Sequence, residues 1–133
     1  MGFKYSHVAL GGTFDLLHKG HHTLILEAFR LAEKVTIGIT SNKFSLQLPE
    51  LHRKEIFEQQ GTRRKNLQNY LKQNKLSNRT KIVWLNDIFG PTLKDFTIQA
   101  LLVTKDTKRG ADLINKERIK KGLKKLKIIQ VLQ

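Results

Sequence analysis

Apolar and polar residues fall in blocks along this chain, and the period within each block predicts its element. Tyr5–Leu10 (YSHVAL) is a short apolar run that stops at Gly11-Gly12, the pattern of a buried strand. From about Gly20 to Lys34 apolar residues recur at helical spacing: Leu24, Ala28 and Leu31 on one row, Ile25, Phe29 and Ala32 on the next. Val35–Thr40 (VTIGIT) is β-branched and reads as a second strand. Leu46–Leu51 contains Pro49 and reads as a loop. A helical stretch follows to about Gln73, with Leu67, Tyr70 and Leu71 at i, i+3 and i+4 and Gly61 as a candidate interruption. Lys81–Asn86 (KIVWLN) is a third strand, Gly90-Pro91 a turn and Ala100–Thr104 (ALLVT) a fourth strand. Thr107 to Lys121 is helical, with Ala111, Ile114 and Arg118 along one side, and Gly122 supplies a C-terminal stop. Lys127–Leu132 (KIIQVL) is the fifth strand.

The alternation β-α-β-α-β-β-α-β predicts an α/β domain, a doubly wound five-stranded parallel sheet covered on both faces. Right-handed crossovers give an expected strand order of 3-2-1-4-5. In open sheets of this kind ligands bind beyond the carboxyl ends of the strands, where the order reverses. That point lies between strands one and four, so the loops after Leu10 and Thr104 are expected to face one another.

Length and charge narrow the picture. At 133 residues a single domain spanning 1–133 is the expectation. The chain is 39% hydrophobic and 27% charged, a globular composition with no run long enough to cross a membrane. Met1–Tyr5 has no apolar signal region, so the chain reads as cytoplasmic. With no cysteine, disulfides, thiolate nucleophiles and cysteine-ligated zinc are excluded. The net charge is +14, and residues 52–81 and 105–127 carry the whole excess. Both segments read as helices with solvated basic faces. A nucleic-acid partner is not favoured, because no nucleic-acid motif is present and aromatic residues do not interleave with the basic runs.

The chemistry concentrates in Gly11-Gly12-Thr13-Phe14-Asp15-Leu16-Leu17-His18-Lys19-Gly20-His21. Glycines after a strand let a ligand approach the main chain. Gly20-His21 open a helix, whose N-terminus offers unpaired N–H groups and a positive dipole end. His18 and His21, three apart, can project toward one point. These features suit a phosphate chain. The stretch is not a Walker loop, a G-x-G-x-x-G fingerprint or a G-x-S-x-G elbow. Two other readings stay open: His18, His21 and His22 as metal ligands, and the histidines as ordinary polar residues at a helix start. No third ligand stands at motif spacing for zinc, so no metal site is expected. Asp15 serves either to orient the turn or to touch a ligand.

GGTFDLLHKGH resembles the G-T-F-D and H/T-x-G-H motif of the nucleotidylyltransferase superfamily, whose fold is Rossmann-like. Four later segments narrow the resemblance. They are Gly38-Ile39-Thr40-Ser41-Asn42-Lys43, Asp87-Ile88-Phe89-Gly90-Pro91-Thr92-Leu93, Leu102-Val103-Thr104-Lys105-Asp106-Thr107 and Ile114-Asn115-Lys116-Glu117-Arg118. With them the chain is similar, over nearly its whole length, to the phosphopantetheine adenylyltransferases of archaeal and eukaryotic type.

The resemblance implies transfer of AMP from ATP, with Mg²⁺, to 4′-phosphopantetheine, giving dephospho-coenzyme A and pyrophosphate. Related cytidylyltransferases and flavin adenylyltransferases share the first motif and are the alternative. It further implies that Gly11, Gly12, Thr13 and Phe14, with His18 and His21, bind the nucleotide, and that the two histidines stabilise the transferring group. Lys43, with Thr13, would hold the acceptor phosphate. Asn115 and Arg118 would reach back to the nucleotide, and Thr104 would lie near its adenine or ribose. The family carries a further segment resembling I-S-S-T-x-x-R beyond the fifth strand, just past Gln133. Residues 1–133 alone are therefore expected to fold and to bind ATP weakly but to turn over poorly.

Overall fold

The computed structural model describes residues 2–47 and 56–132. Residues 48–51 of the expected Pro49 loop lie outside them. The chain runs β1 (Tyr5–Gly12), α1 (Lys19–Leu31), β2 (Ala32–Thr40), α2 (Asn42–Gln47), α3 (Gln60–Gln73), β3 (Thr80–Leu85), β4 (Ala100–Val103), α4 (Lys108–Lys120) and β5 (Lys127–Gln130). The five strands form one parallel sheet in the order β3-β2-β1-β4-β5.

The alternating side chains of the strands build two separate apolar layers. On one face Val8, Leu10, Val35, Ile37, Ile39 and Leu102 meet Ile25 and Ala28 of α1 and Leu67 and Leu71 of α3. On the other, Ala9, Leu101 and Val103 meet Ala111 and Ile114 of α4. Each element is thus fixed by an apolar stripe of matching period, as the sequence pattern requires.

Several boundaries differ from the sequence reading, most by a residue or two, and β5 ends at Gln130 and not at Leu132. Ala32, Glu33 and Lys34 belong to β2 and not to α1, because Tyr5 pairs with Ala32 and His7 with Lys34. Residues 42–47, the last two of which the sequence assigns to a loop, form a short helix. Gly61 sits in the first turn of α3 and does not interrupt it. Gly122 does end α4: at φ +77 it lets its own N–H reach the Ile119 carbonyl and the Leu123 N–H reach Arg118. Gly90-Pro91 forms a 3₁₀ turn, Gly90–Leu93.

Strand pairing shapes the site. β1 pairs with β4 only at Val8–Ala100 and Ala9–Leu101, whereas β2 follows β1 all the way to Gly12–Ile39. The carboxyl end of β1 is therefore splayed from β4, and a crevice opens at the switch point.

Beneath the sheet's apolar floor, His7 is 2% exposed and holds β1 to its neighbours. One ring nitrogen bonds the Thr36 hydroxyl at 2.7 Å, the other the Thr97 hydroxyl at 2.8 Å. Thr97 in turn donates to Asp95. Burial lowers the His7 pKa from its ordinary 6.5, aided by Lys34 and Lys81 and opposed by Asp95. The unfolded chain then binds the proton more readily, so stability falls as pH drops through about 6.5 toward the lowered folded value. A chemical-denaturation series from pH 8 to 5 on wild type and His7→Gln tests this. The midpoint is expected to fall more steeply in wild type; parallel curves would contradict it.

Candidate functional site

The β1–α1 loop, from Thr13 to Leu17, passes two residues through the left-handed region, Phe14 at φ +54 and Leu16 at φ +47. Neither is glycine, and such a conformation costs about 1–2 kcal/mol per residue. The surroundings compensate. The Phe14 ring is 1% exposed and packs in the α1-side core. Asp15 accepts N–H groups from Phe57 and Glu58 at 2.9 and 2.8 Å. Glu58 in return accepts the Leu16 N–H at 2.7 Å. Asp15 thus orients the turn.

Where the loop enters α1, His18 is the N-cap. Its Nδ1 accepts the Gly20 N–H at 3.0 Å, and the Nδ1 of His21 accepts the His18 N–H at 3.2 Å. This is a capping box built from two imidazoles. The expectation of unpaired helix N–H groups is therefore corrected at Gly20, which donates to His18. What the helix presents instead is imidazole. An Nδ1 that accepts carries no proton, so each neutral ring bears its hydrogen on Nε2. The two rings stack with centroids 4.0 Å apart at the N-terminal end of α1, the positive end of the helix dipole. With Nδ1 of each ring accepting a main-chain N–H, Nε2 is the nitrogen from which each neutral ring can donate. Among the described residues no group of three His, Asp or Glu could hold a metal ion.

Beyond Gly11 and Gly12 lies a cleft of about 560 Å³ on the α4 side of the sheet. Thr36, Gly38, Thr40, Phe44, Leu85, Thr107 and Arg109 are among its walls. Two of its glycines make room for Leu85: a Cβ on Gly38 would stand 2.6 Å from the Leu85 Cγ, and one on Gly11 2.9 Å from a Leu85 methyl. A second hollow of about 370 Å³, between Arg64, Lys72 and Ser77, flanks α3 and β3 away from this loop.

The sequence-derived candidates divide. Gly11 and Gly12 line the cleft; Thr13 follows in the loop that leads from it, His18 caps α1 and His21 lies in the first turn of that helix. Lys43 is exposed on α2, one turn beyond the carboxyl end of β2. Thr104 is 7% exposed, and its N–H is taken by the Thr107 hydroxyl, so Thr107 and not Thr104 faces the cleft. The Phe14 side chain is core, which leaves only its backbone for a ligand. Asn115 and Arg118 are corrections. The Asn115 amide bonds the Leu126 carbonyl and N–H at 2.9 and 2.7 Å. Arg118 donates to the carbonyls of Lys124 and Thr92. Burial lowers its pKa. Both side chains bond main chain of the segment between α4 and β5, and Arg118 also that of the turn after β3.

Sequence reasoning missed Arg63, treating it as one more cation of a solvated helix face. It is fully buried. Nη1 donates to the carbonyls of Thr13 and Thr40 at 2.8 and 2.7 Å, and Nη2 to the Asn42 Oδ1 at 2.9 Å. Nε reaches the Glu58 carbonyl at 3.2 Å. Burial lowers its pKa, against the pull of Asp15 and Glu58. A signal was present: Arg63, Leu67 and Leu71 stand at i, i+4 and i+8, one stripe of α3.

The Asn115 correction is testable. Asn115→Ala strands two buried main-chain groups, so it is expected to cost about 2 kcal/mol of stability. ATP affinity per folded molecule should stay within about twofold. Loss of affinity with stability intact would return Asn115 to the ligand.

Residues 9–132 match the family model described as cytidylyltransferase-like. The phosphopantetheine adenylyltransferase of Methanothermobacter thermautotrophicus is 39% identical over 128 residues, which covers 96% of this chain and 74% of that protein. That of Pyrococcus furiosus is 36% identical over 96% of this chain and 78% of its own length. The crystal structure of a protein of unknown function from Archaeoglobus fulgidus superposes with a TM-score of 0.81 at 33% identity, covering 94% of this chain and 88% of that one. The chain belongs to the cytidylyltransferase-like family and, within it, to the phosphopantetheine adenylyltransferases.

Proposed function

We propose that this protein transfers the adenylyl group of ATP to 4′-phosphopantetheine, with pyrophosphate and dephospho-coenzyme A as products, a step of coenzyme A synthesis. The observation that carries this reading is the stacked His18–His21 cap at the start of α1, in a chain 39% identical to an adenylyltransferase for that acceptor.

Transfer of this kind asks little covalent work of the protein. An oxygen of the acceptor phosphate attacks the α-phosphorus of ATP in line. The bond from the α-phosphorus to the α,β-bridging oxygen breaks, and pyrophosphate leaves with the electron pair. A phosphate monoester is already ionised at neutral pH, so no general base is required. Charge builds on the phosphate oxygens, and His18 and His21 donate to them there. The Gly12 and Thr13 backbone and the Thr13 hydroxyl hold the reacting phosphates. Lys43 supplies a mobile cation to the acceptor phosphate from α2. The nucleotide enters as its Mg²⁺ complex. The ion would neutralise triphosphate charge, held largely by phosphate oxygens and water, while Asp15 is engaged by the N–H groups of Phe57 and Glu58. Thr107 and Arg109 border the cleft where the nucleoside would lie.

The cytoplasm is the compartment proposed, where ATP and the acceptor are both available. Among the described residues no helix is long and apolar enough to cross a membrane.

Two measurements test the proposal. Calorimetric titration with the Mg²⁺ complexes of ATP and CTP is expected to show tighter ATP; equal affinity or tighter CTP would overturn the adenylyl assignment. Pyrophosphate release with ATP and 4′-phosphopantetheine is expected to fall by roughly 10²–10³ in His21→Ala, the usual loss for one transition-state donor. Its melting temperature should move by only a few degrees. A variant that melts early but turns over normally per folded molecule would make His21 structural.

A further inference from the structure

The geometry points to Arg63 as a positioning residue that fixes the phosphate-binding loop and the α2 lysine in one frame, a role that rests on the adenylyl-transfer reading above. One guanidinium spans both sides of the site. Nη1 bridges the carbonyls of Thr13, on the phosphate loop, and Thr40, at the end of β2. Nη2 reaches Asn42, which begins the helix that carries Lys43. Nε takes the Glu58 carbonyl, and the Glu58 side chain holds the Leu16 N–H.

Three considerations separate this from ordinary packing. First, the loop it holds contains the left-handed Phe14 and Leu16, and strained backbone persists only where its surroundings over-determine it. Second, α2 is only Asn42–Gln47 long, too short to fix its own direction, so its place depends on tertiary contacts such as Asn42–Arg63. Third, in-line transfer requires both phosphates at one distance, and a misplacement of about 1 Å can cost on the order of 10² in rate. A planar fork with five donors can bridge two carbonyls and an amide at fixed angles. A lysine cannot.

The molecule supplies its own control. Arg79 is a second arginine clamp, which donates to the carbonyls of Phe29, Ala32 and Glu33 where α1 passes into β2. It touches nothing in the site. Arg63→Lys and Arg79→Lys are therefore expected to lower the melting temperature alike, while only Arg63→Lys lowers kcat, by at least tenfold, with the KM for ATP within about threefold.

Lys43→Ala provides a readout that simple loss of stability does not move. If Arg63 registers Lys43 against the loop, adding Lys43→Ala to Arg63→Lys should cost less than about twofold further, although it costs tenfold or more in wild type. Losses that multiply overturn the proposal, as does an unchanged kcat in Arg63→Lys. A third readout needs no activity. In ¹⁵N-labelled protein, Arg63→Lys should shift the amides of residues 12–16 and 41–44 together and leave those of β5 in place. Shifts confined to α3 overturn the positioning role. Absence of adenylyl transfer in wild type would defeat the functional reading alone, and the amide shifts would then decide the clamp. If Arg63→Lys fails to fold, Asn42→Ala takes its place and should raise the acceptor KM severalfold with the ATP KM unchanged. An unchanged acceptor KM would overturn the proposal.

Discussion

A turn that strains its own backbone governs this molecule. Phe14 and Leu16 stand at positive φ on either side of Asp15, without glycine's freedom. The turn exists because three tethers converge on it: the buried Phe14 ring, the Asp15–Glu58 exchange of N–H groups and the Arg63–Thr13 bond. Two of the tethers come from the first turn of α3 and the segment before it, some forty to fifty residues away in sequence. The loop is therefore a product of the whole α1-side layer. Leu67 and Leu71 dock α3 on the sheet, and the same stripe delivers Arg63 beneath the loop.

The strain has a use. It turns the chain so that His18 caps α1 and His21 closes the cap from one helical turn further on. A Ser or Asp at the N-cap would satisfy the same N–H group but end there. An imidazole accepts with one nitrogen and donates with the other, so it passes the positive end of the helix outward to a ligand. In the proposed transfer the stacked pair would supply donors where charge grows. On the opposite side of Gly11-Gly12 the splay of β1 from β4 opens the cleft. The histidine cap and the cleft thus fall on the two sides of one strand end.

The strand order was legible because each block of the chain has a clear period and right-handed crossovers leave few arrangements. Gly11–His21 was legible as a site because glycine, hydroxyl and imidazole cluster at one strand-to-helix junction. Long-range polar bonds were not. Asn115 and Arg118 look like ligand-facing residues three apart on a helix, yet the main chain just before β5 and of the turn after β3 claims them. Arg63 looks like one charge in a basic run, yet it is the best-buried cation among the described residues. Spacing along one helix shows which residues share a face. It does not show which carbonyls from distant strands end beneath that face.

The central claim is that the His18–His21 cap presents two Nε2–H donors to the phosphates of ATP. Long-range ¹H–¹⁵N correlation of the imidazoles, recorded above pH 7.5 with and without MgATP, tests it most directly. The account predicts Nε2–H tautomers for both rings in the free protein and large shifts at both Nε2 atoms on titration, with the cap intact. Nδ1–H tautomers, or rings that do not respond to the nucleotide, would contradict it.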